Sequence, residues 1–248
     1  MQEGKKRYYL IDGFRGFAVI NMILYHFLYD VFIVYGKNPF WTDYFWVQFW
    51  QQAICWTFIF ISGFVWILGS KKNFWRGLYL NLCGFVISFV TKTIIPSEAI
   101  WFGILNFIGC AVLLMFPLQK VLKRLHPVLG TVLSFCLFIL CKQIPNGFIG
   151  IGKLFQIHLP SMLYSTSILT IFGFPFQGFV SSDYFPILPW MFLYLCGYFV
   201  NKILMEYKSW EQVAQFKIPI LSRCGRKTIW IYMLHQPVIM LLCFLLFH

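Results

Sequence analysis

Seven apolar stretches, most of them near the roughly 20 residues that cross a bilayer, restrict the folds open to this chain. They cover 12–34, 45–69, 75–95, 99–119, 127–141, 185–204 and 228–247. Lipid offers the backbone no hydrogen-bond partners, so such stretches form helices that satisfy their own N–H and C=O groups. The sequence therefore predicts an all-α, polytopic membrane bundle of about seven transmembrane helices.

The composition supports a membrane protein and argues against other classes. The chain is 60% hydrophobic and 11% charged, which leaves too little polar surface for a soluble domain. Its net charge is +12, but the basic residues lie between the apolar stretches, so no nucleic-acid partner is expected. No His/Cys spacing is typical of zinc, and no metal is expected. We expect a single integral-membrane domain over 1–248, multi-pass in the cell membrane; a homo-oligomer is left open.

The basic residues between the stretches predict the orientation of the chain. Of the 20 Lys and Arg residues, Arg15 lies in the first stretch and, with the N-terminus inside, four are outer: Lys37, Lys92, Lys142 and Lys153. The other fifteen are inner. Because positive residues concentrate on the cytoplasmic side, the count predicts an N-inside, C-outside chain with an odd number of spans.

Two outer segments are unusual. The loop 36–46 is rich in aromatic residues, which are typical of interfacial anchors. The longer segment 142–184 is apolar but broken by proline and glycine, and we interpret the part near 150–180 as re-entrant or interfacial. An eighth full span at 157–176 is the competing interpretation, which the charge count opposes.

Four ionisable residues share one face of the first stretch. At 100° per residue with Asp12 at 0°, Arg15 falls at about −60°, His26 at about −40° and Asp30 at about 0°. Charges inside a bilayer are costly, so they usually face the bundle interior or a wet cavity and mark function. The competing interpretation places Asp12 and Arg15 at the interface and only His26 and Asp30 deep in the membrane.

The spacing of His26 and Asp30 indicates chemistry. Residues one helical turn apart are neighbours, so the carboxylate can hydrogen-bond the imidazole. A histidine oriented in this way is typical of general base catalysis, and we predict that His26 and Asp30 are catalytic. Such pairs also form proton relays, so a proton-coupled small-molecule transporter is the alternative function. A non-catalytic membrane scaffold is a third.

The remaining candidate residues lie at the ends of other stretches. Arg223, Arg226 and Lys227 make the inner end of the last stretch electropositive, which would attract a polyanionic donor from the cytoplasm. Pro237 frees the carbonyl of Met233, and His235 either pairs with this carbonyl or belongs to the site. Before the sixth stretch, Asp183 either caps the following helix or contacts substrate.

Three segments resemble a known family. The segment RYYLIDGFRGFAVINMILYH resembles the first-span motif of the transmembrane acyltransferase superfamily. In that motif an Arg and a His are separated by ten residues, and Arg15 and His26 match this spacing. Two later segments resemble the bacterial heparan-α-glucosaminide N-acetyltransferase-like branch of that superfamily: SSDYFPILPWMFLYLCGYF and SRCGRKTIWIYMLHQPVI. The resemblance implies an acyltransferase that binds acetyl-CoA from the cytoplasm and passes the acetyl group, by N- or O-acetylation, to a sugar or glycan acceptor on the other side.

The resemblance also implies roles for residues of this chain. His26 would be the general base or a transient acyl carrier, and Arg15 would help to hold the donor. We assign donor binding to Arg15, Asp12, Arg223, Arg226, Lys227 and His235. We assign acceptor binding to Asp183 and Trp190.

Overall fold

A computed structural model describes residues 8–69, 72–152 and 154–247, and most of these residues are helical. It confirms the predicted all-α polytopic membrane class. Five of the basic residues in the charge count lie outside the described residues: Lys5, Lys6, Arg7, Lys71 and Lys153.

Eleven α-helices and one β-hairpin make up the described part of the chain. The helices are α1 (Tyr9–Tyr29), α2 (Phe45–Phe64), α3 (Trp66–Gly69), α4 (Asn73–Ile94), α5 (Ile104–Leu122), α6 (Pro127–Cys141), α7 (Ser167–Thr170), α8 (Ile187–Leu204), α9 (Lys208–Ala214), α10 (Pro219–Arg226) and α11 (Thr228–Phe247). The hairpin pairs β1 (Phe148–Ile151) with β2 (Phe155–His158) in antiparallel register.

Six helical segments among the described residues are long and apolar enough to cross a membrane. They are Tyr9–Val34, Asn73–Ile94, Ile104–Leu122, Pro127–Asn146, Ile187–Leu204 and Thr228–Phe247. The predicted span at 45–69 is helical as α2 and α3 but is not among the six, because three glutamines, Gln48, Gln51 and Gln52, make the start of α2 more polar. The N-inside, C-outside orientation depends on an odd number of spans and stays a prediction.

The segment near 150–180 contains no spanning helix. It consists of the β-hairpin, a 3-10 turn at Ser161–Tyr164 and the four-residue helix α7. This excludes an eighth helical span at 157–176. Large apolar side chains remain exposed here, with Leu154, Met162 and Ile168 all more than two-thirds exposed, as suits a segment at a membrane interface.

The chain divides into two compact units. Unit 1 comprises Met1–Phe58 and Met205–His248, and unit 2 comprises Ile59–Leu204. Unit 1 contains α1, the first part of α2, and α9 to α11, whereas unit 2 contains the last turns of α2, α3 to α8 and the β-hairpin. That the whole chain acts as a single domain over 1–248 stays a prediction.

In unit 1, α1 packs on α10 with almost no space between the two backbones. A Cβ atom added at Gly16 would lie 1.9 Å from the carbonyl oxygen of Leu221, and one added at Gly225 would lie 1.7 Å from that of Asp12. Ser222 joins the contact because its hydroxyl donates a hydrogen bond of 3.1 Å to the carbonyl of Tyr9. Small residues at such crossings let helices in membranes approach closely.

The other end of α1 in unit 1 is covered by aromatic residues. Trp41, from the outer loop, is buried and packs on Tyr25 and Phe32, at ring-centroid distances of 5.3 and 5.5 Å. The prediction that this loop holds interfacial anchors is therefore wrong for Trp41, whose ring is buried against aromatic side chains of the protein. It suits Trp46, which is 75% exposed.

In unit 2, α4 packs on α5 and α6 packs on α8. Amide side chains fit against glycines between α4 and α5: a Cβ added at Gly84 would lie 2.5 Å from Asn106, and one added at Gly109 would lie 2.4 Å from Asn81. The core of the unit contains the fully buried rings of Phe107, Tyr194 and Phe199, which occupy this interior.

The close contact of α1 with α10 predicts unequal effects of two alanine substitutions on one helix. Gly16→Ala should destabilise the protein by roughly 1–3 kcal/mol, because the new methyl group collides with backbone that cannot move aside alone. Gly13→Ala is the matched control, since its Cβ would lie 3.9 Å from its nearest neighbour, Ser222 Oγ. Thermal unfolding of the purified variants in detergent measures the difference, and equal melting temperatures would contradict the packing described here.

Candidate active site

The four ionisable residues of α1 lie along the face that the sequence predicts, and each has neighbours in the protein. Near the start of the helix, Arg15 Nη1 lies 3.7 Å from Asp12 Oδ1, an ion pair between residues one turn apart. Asp12 is buried and Arg15 is half-buried. Both lie at the crossing with α10, because the backbone of Asp12 contacts Gly225.

Asp30 is held by a residue from α11. It begins a π-helical turn, Asp30–Val34, that ends the first span, and only 2% of the residue is exposed. The amide nitrogen of Gln236 donates to both carboxylate oxygens, at 3.0 Å each. A carboxylate buried in a span requires donors of this kind, so the contact ties the end of α1 to α11.

His26 faces a second histidine, also from α11. The ring centroids of His26 and His235 lie 4.8 Å apart, with the rings inclined at 62°. Tyr25 lies on another side of His26, with its ring edge-on at 5.8 Å. The pairs His26 with His235 and Asp30 with Gln236 therefore join the same two helices about one turn apart.

The hydrogen bond of His235 fixes which of its ring nitrogens carries the proton. Nδ1 lies 2.6 Å from the carbonyl oxygen of Tyr232, and because a carbonyl only accepts, Nδ1 is the donor. In the neutral ring Nε2 then keeps its lone pair, and this buried atom has no hydrogen-bond partner within the described residues. The carbonyl that His235 contacts is that of Tyr232, not that of Met233, which the sequence suggested as its partner.

The basic residues of α10 lie beside the start of α1. Ser222 and Gly225 face α1, and Arg223 and Arg226, each the next residue along the chain, lie on an adjacent, exposed side of this short helix. Lys227, which follows the helix, is also exposed. Together with Arg15 they make this end of unit 1 strongly positive. Whether they bind a donor stays a prediction.

The two predicted acceptor-binding residues belong to unit 2 and have structural neighbours there. Asp183 was expected either to cap α8 or to contact substrate, and its carboxylate accepts a hydrogen bond of 3.4 Å from the backbone amide of Ile104 at the start of α5. It therefore caps a different helix. Trp190 is buried, and its ring packs between Phe185 and Phe138, at 4.8 and 5.5 Å. An acceptor-binding role for either residue stays a prediction.

The electrostatics of Asp183 set it apart from an ordinary helix cap. Burial raises the pKa of its carboxyl from 3.8 to about 6, and the Ile104 amide opposes this by lowering it.

Among the described residues, no group of three or more His, Cys, Asp or Glu side chains could hold a metal ion.

The comparison with known families covers both α1 and most of the site-bearing part of α11. The family described as heparan-alpha-glucosaminide N-acetyltransferase, catalytic, matches residues 7–237. The chain belongs to this family. It matches no curated protein and no solved structure. The match includes His26, Asp30 and His235, and it confirms the predicted resemblance.

Family membership decides the coarse function. Together with the six apolar helices, it makes this protein a membrane-embedded acetyltransferase and favours an enzyme over the transporter and scaffold alternatives. The sequence-based assignment missed Gln236. Its contact with Asp30 joins residues 206 positions apart, and the only sequence signal was its place beside His235.

The raised pKa of Asp183 predicts how stability varies with pH. A carboxyl whose folded pKa exceeds its unfolded value stabilises the fold fully below pH 3.8, and that contribution is lost as the pH rises through about 6. Asp183→Asn keeps an acceptor for the Ile104 amide but carries no charge. It should raise stability at pH 8 by up to about 3 kcal/mol and leave stability at pH 3.5 unchanged.

Melting temperatures in detergent across this pH range test the expectation. Asp43→Asn, at an exposed carboxylate, serves as the control and should show no such gain. A loss of stability in Asp183→Asn at pH 8 would show that the carboxylate stabilises the fold at this position.

Proposed function

We propose that this acetyltransferase uses acetyl-CoA from the cytoplasm and transfers the acetyl group to a sugar or glycan acceptor outside, with His26 at the point of transfer. The observation that carries the proposal is the contact between His26 and His235. It points to acetyl transfer because the chain belongs to a family of acetyltransferases. We place the enzyme in the cell membrane as a multi-pass protein acting as one domain.

Donor binding is proposed at the positive end of unit 1. Coenzyme A carries its phosphates far from its thioester, so a donor that enters from the cytoplasm needs cations at the mouth and the reacting group deeper inside. Arg15, Arg223, Arg226 and Lys227 supply these cations, while Asp12 orients Arg15 through their ion pair. Arg15 and His26 are eleven residues apart on the helix, about 16 Å along its axis.

At the other end of this path we assign His26 the role of general base. It takes the proton from the attacking amine or hydroxyl of the acceptor as the new bond to the acetyl carbon forms. The bond from that carbon to sulfur then breaks, and the proton passes to the departing thiolate. In the second version of the route, the imidazole nitrogen attacks the thioester first and carries the acetyl group to the acceptor.

We propose a role for His235 that differs from donor binding. Its Nδ1 proton is committed to Tyr232, so the lone pair of Nε2 is free to receive a proton or to accept a hydrogen bond. A ring so close to His26 can share the proton that His26 removes. Asp30, held by Gln236, is proposed to stabilise the charge that develops on this pair.

Acceptor binding by Asp183 and Trp190 remains part of the proposal. A buried carboxyl with a raised pKa is typical of functional sites as well as of structural ones, which supports keeping Asp183 among the candidates. For Trp190 the support is weaker, because both neighbouring rings give it a packing role. An effect on the KM of the acceptor alone would distinguish binding from packing.

His26→Ala should lower acetyl transfer roughly 10²- to 10⁴-fold while the protein stays folded, because the step loses its base or its acyl carrier. Membrane vesicles supplied with acetyl-labelled CoA report the reaction through label on an acceptor and through free CoA thiol. His158→Ala, at an exposed histidine, is the control. Full activity of the His26 variant would refute the proposal, and unmodified cargo crossing the membrane would indicate a transporter.

Asp30→Asn should lower the rate less than His26→Ala, since it removes a charge near the histidines and not the base itself. Gln236→Leu should act in the same direction, because it leaves Asp30 without the amide donor. The rate as a function of pH is the decisive measurement, and Gln51→Leu, at an exposed amide, is the control. A pH profile identical to that of the unaltered protein in both variants would rule out this role for Asp30.

A further inference from the structure

Arg76 is a half-buried cation in unit 2 that the proposed reaction does not use. It lies in the apolar segment Asn73–Ile94, one turn after the start of α4. Its Nη2 donates a hydrogen bond of 3.3 Å to the hydroxyl of Ser62, and the ring hydroxyl of Tyr194 lies near enough to interact with its charge. Ionisable residues within spans are rare and costly, so their partners indicate their purpose.

The protein supplies Arg76 with few partners. A guanidinium has five N–H donors, and within the described residues only the bond to Ser62 uses one of them. The described carboxylates of unit 2 are Glu98 and Asp183, and neither pairs with Arg76; Asp183 caps α5 instead. The positive charge is therefore not balanced inside its own unit.

Snorkelling to the membrane surface does not account for these contacts. Ser62 lies in the last turn of α2 and is buried. Tyr194 precedes the end of α8 by ten residues, about 15 Å of helix. The guanidinium of Arg76 thus points towards the interior of unit 2, whereas a snorkelling side chain points towards the water.

Tyr194 adds a second unsatisfied donor at the same place. The residue is 0% exposed, and its hydroxyl lies next to Ser62 but has no hydrogen-bond partner of standard geometry within the described residues. A buried hydroxyl with no partner costs free energy unless a ligand or water satisfies it. Ser62 is buried as well, so the guanidinium and two hydroxyl groups meet in one sheltered position.

We propose that Arg76, Ser62 and Tyr194 form a binding site for a phosphate group. All three groups donate hydrogen bonds, and the single positive charge calls for an anion with several acceptor oxygens. A tetrahedral phosphate presents oxygens in the separate directions from which these donors come. Two sources share this chemistry: the headgroup of an anionic lipid and the phosphate of a soluble molecule.

Binding to the purified full-length chain in neutral detergent tests the site without any need for acetyl transfer. One arm titrates inorganic pyrophosphate and the other titrates phosphatidylglycerol into the micelles, with affinity and melting temperature as readouts. Arg76→Gln should weaken binding at least tenfold, because it removes the charge. Tyr194→Phe and Ser62→Ala should each weaken it a few-fold. Arg124→Gln, at an exposed arginine of the same unit, is the matched control and should change nothing.

The outcomes separate the sources and the alternatives. Arg76-dependent binding of pyrophosphate alone assigns the site to a soluble phosphate, and binding of the lipid alone assigns it to a headgroup. Equal binding by the unaltered chain and Arg76→Gln in both arms, or no binding by the unaltered chain, overturns the proposal. Should Arg76→Gln fail to fold, unchanged affinity in both Tyr194→Phe and Ser62→Ala overturns it as well.

Discussion

A polar group inside a membrane span is stable only when the protein supplies its partner, and this constraint explains the contacts between the helices of each unit. In unit 1 the indole of Trp50 donates to Asn21, and the amide of Gln236 donates to Asp30, so α2 and α11 are each fixed to α1 by a hydrogen bond. In unit 2 the indole of Trp66 donates to the carbonyl of Val112. Apolar packing alone would not fix the rotation of these helices, because lipid is as apolar as leucine.

Close backbone contact supplies what hydrogen bonds do not. The crossing of α1 and α10 at Gly16 and Gly225 brings an exposed basic helix against the start of the ionisable face. The position of Arg223 and Arg226 near Arg15 therefore depends on residues that have no side chain. The glycines that the fold requires at this crossing therefore lie directly beside the proposed donor entrance.

Hydropathy predicted the helices well because a span is defined by its own residues. α6 and α11 have the predicted bounds, and α1 begins only three residues earlier than predicted. The predicted span at 45–69 is helical but is not among the six apolar segments, since its glutamines lower the mean hydropathy of α2. The 3.6-residue period also predicted the shared face of Asp12, Arg15, His26 and Asp30, because a helix fixes that geometry locally.

The partners of those residues could not be predicted in the same way. Asp183 caps α5 and not the helix that follows it, and Gln236 reaches Asp30 across most of the chain. Both contacts arise from packing between helices, on which a single sequence carries no periodic signal. Arg76 was counted only as an inner positive charge, because its depth depends on where Ser62 and Tyr194 lie.

The choice of glutamine as a partner for Asp30 has an electrical consequence. The amide of Gln236 donates hydrogen bonds to the carboxylate of Asp30 but adds no positive charge. An arginine in place of Gln236 would cancel the negative potential around Asp30. In the low-dielectric interior of unit 1, that potential extends to His26, one turn away, and to His235, the residue next to Gln236. When one of these imidazole rings becomes protonated during the reaction, the negative potential of Asp30 stabilises its positive charge without any rearrangement of the site.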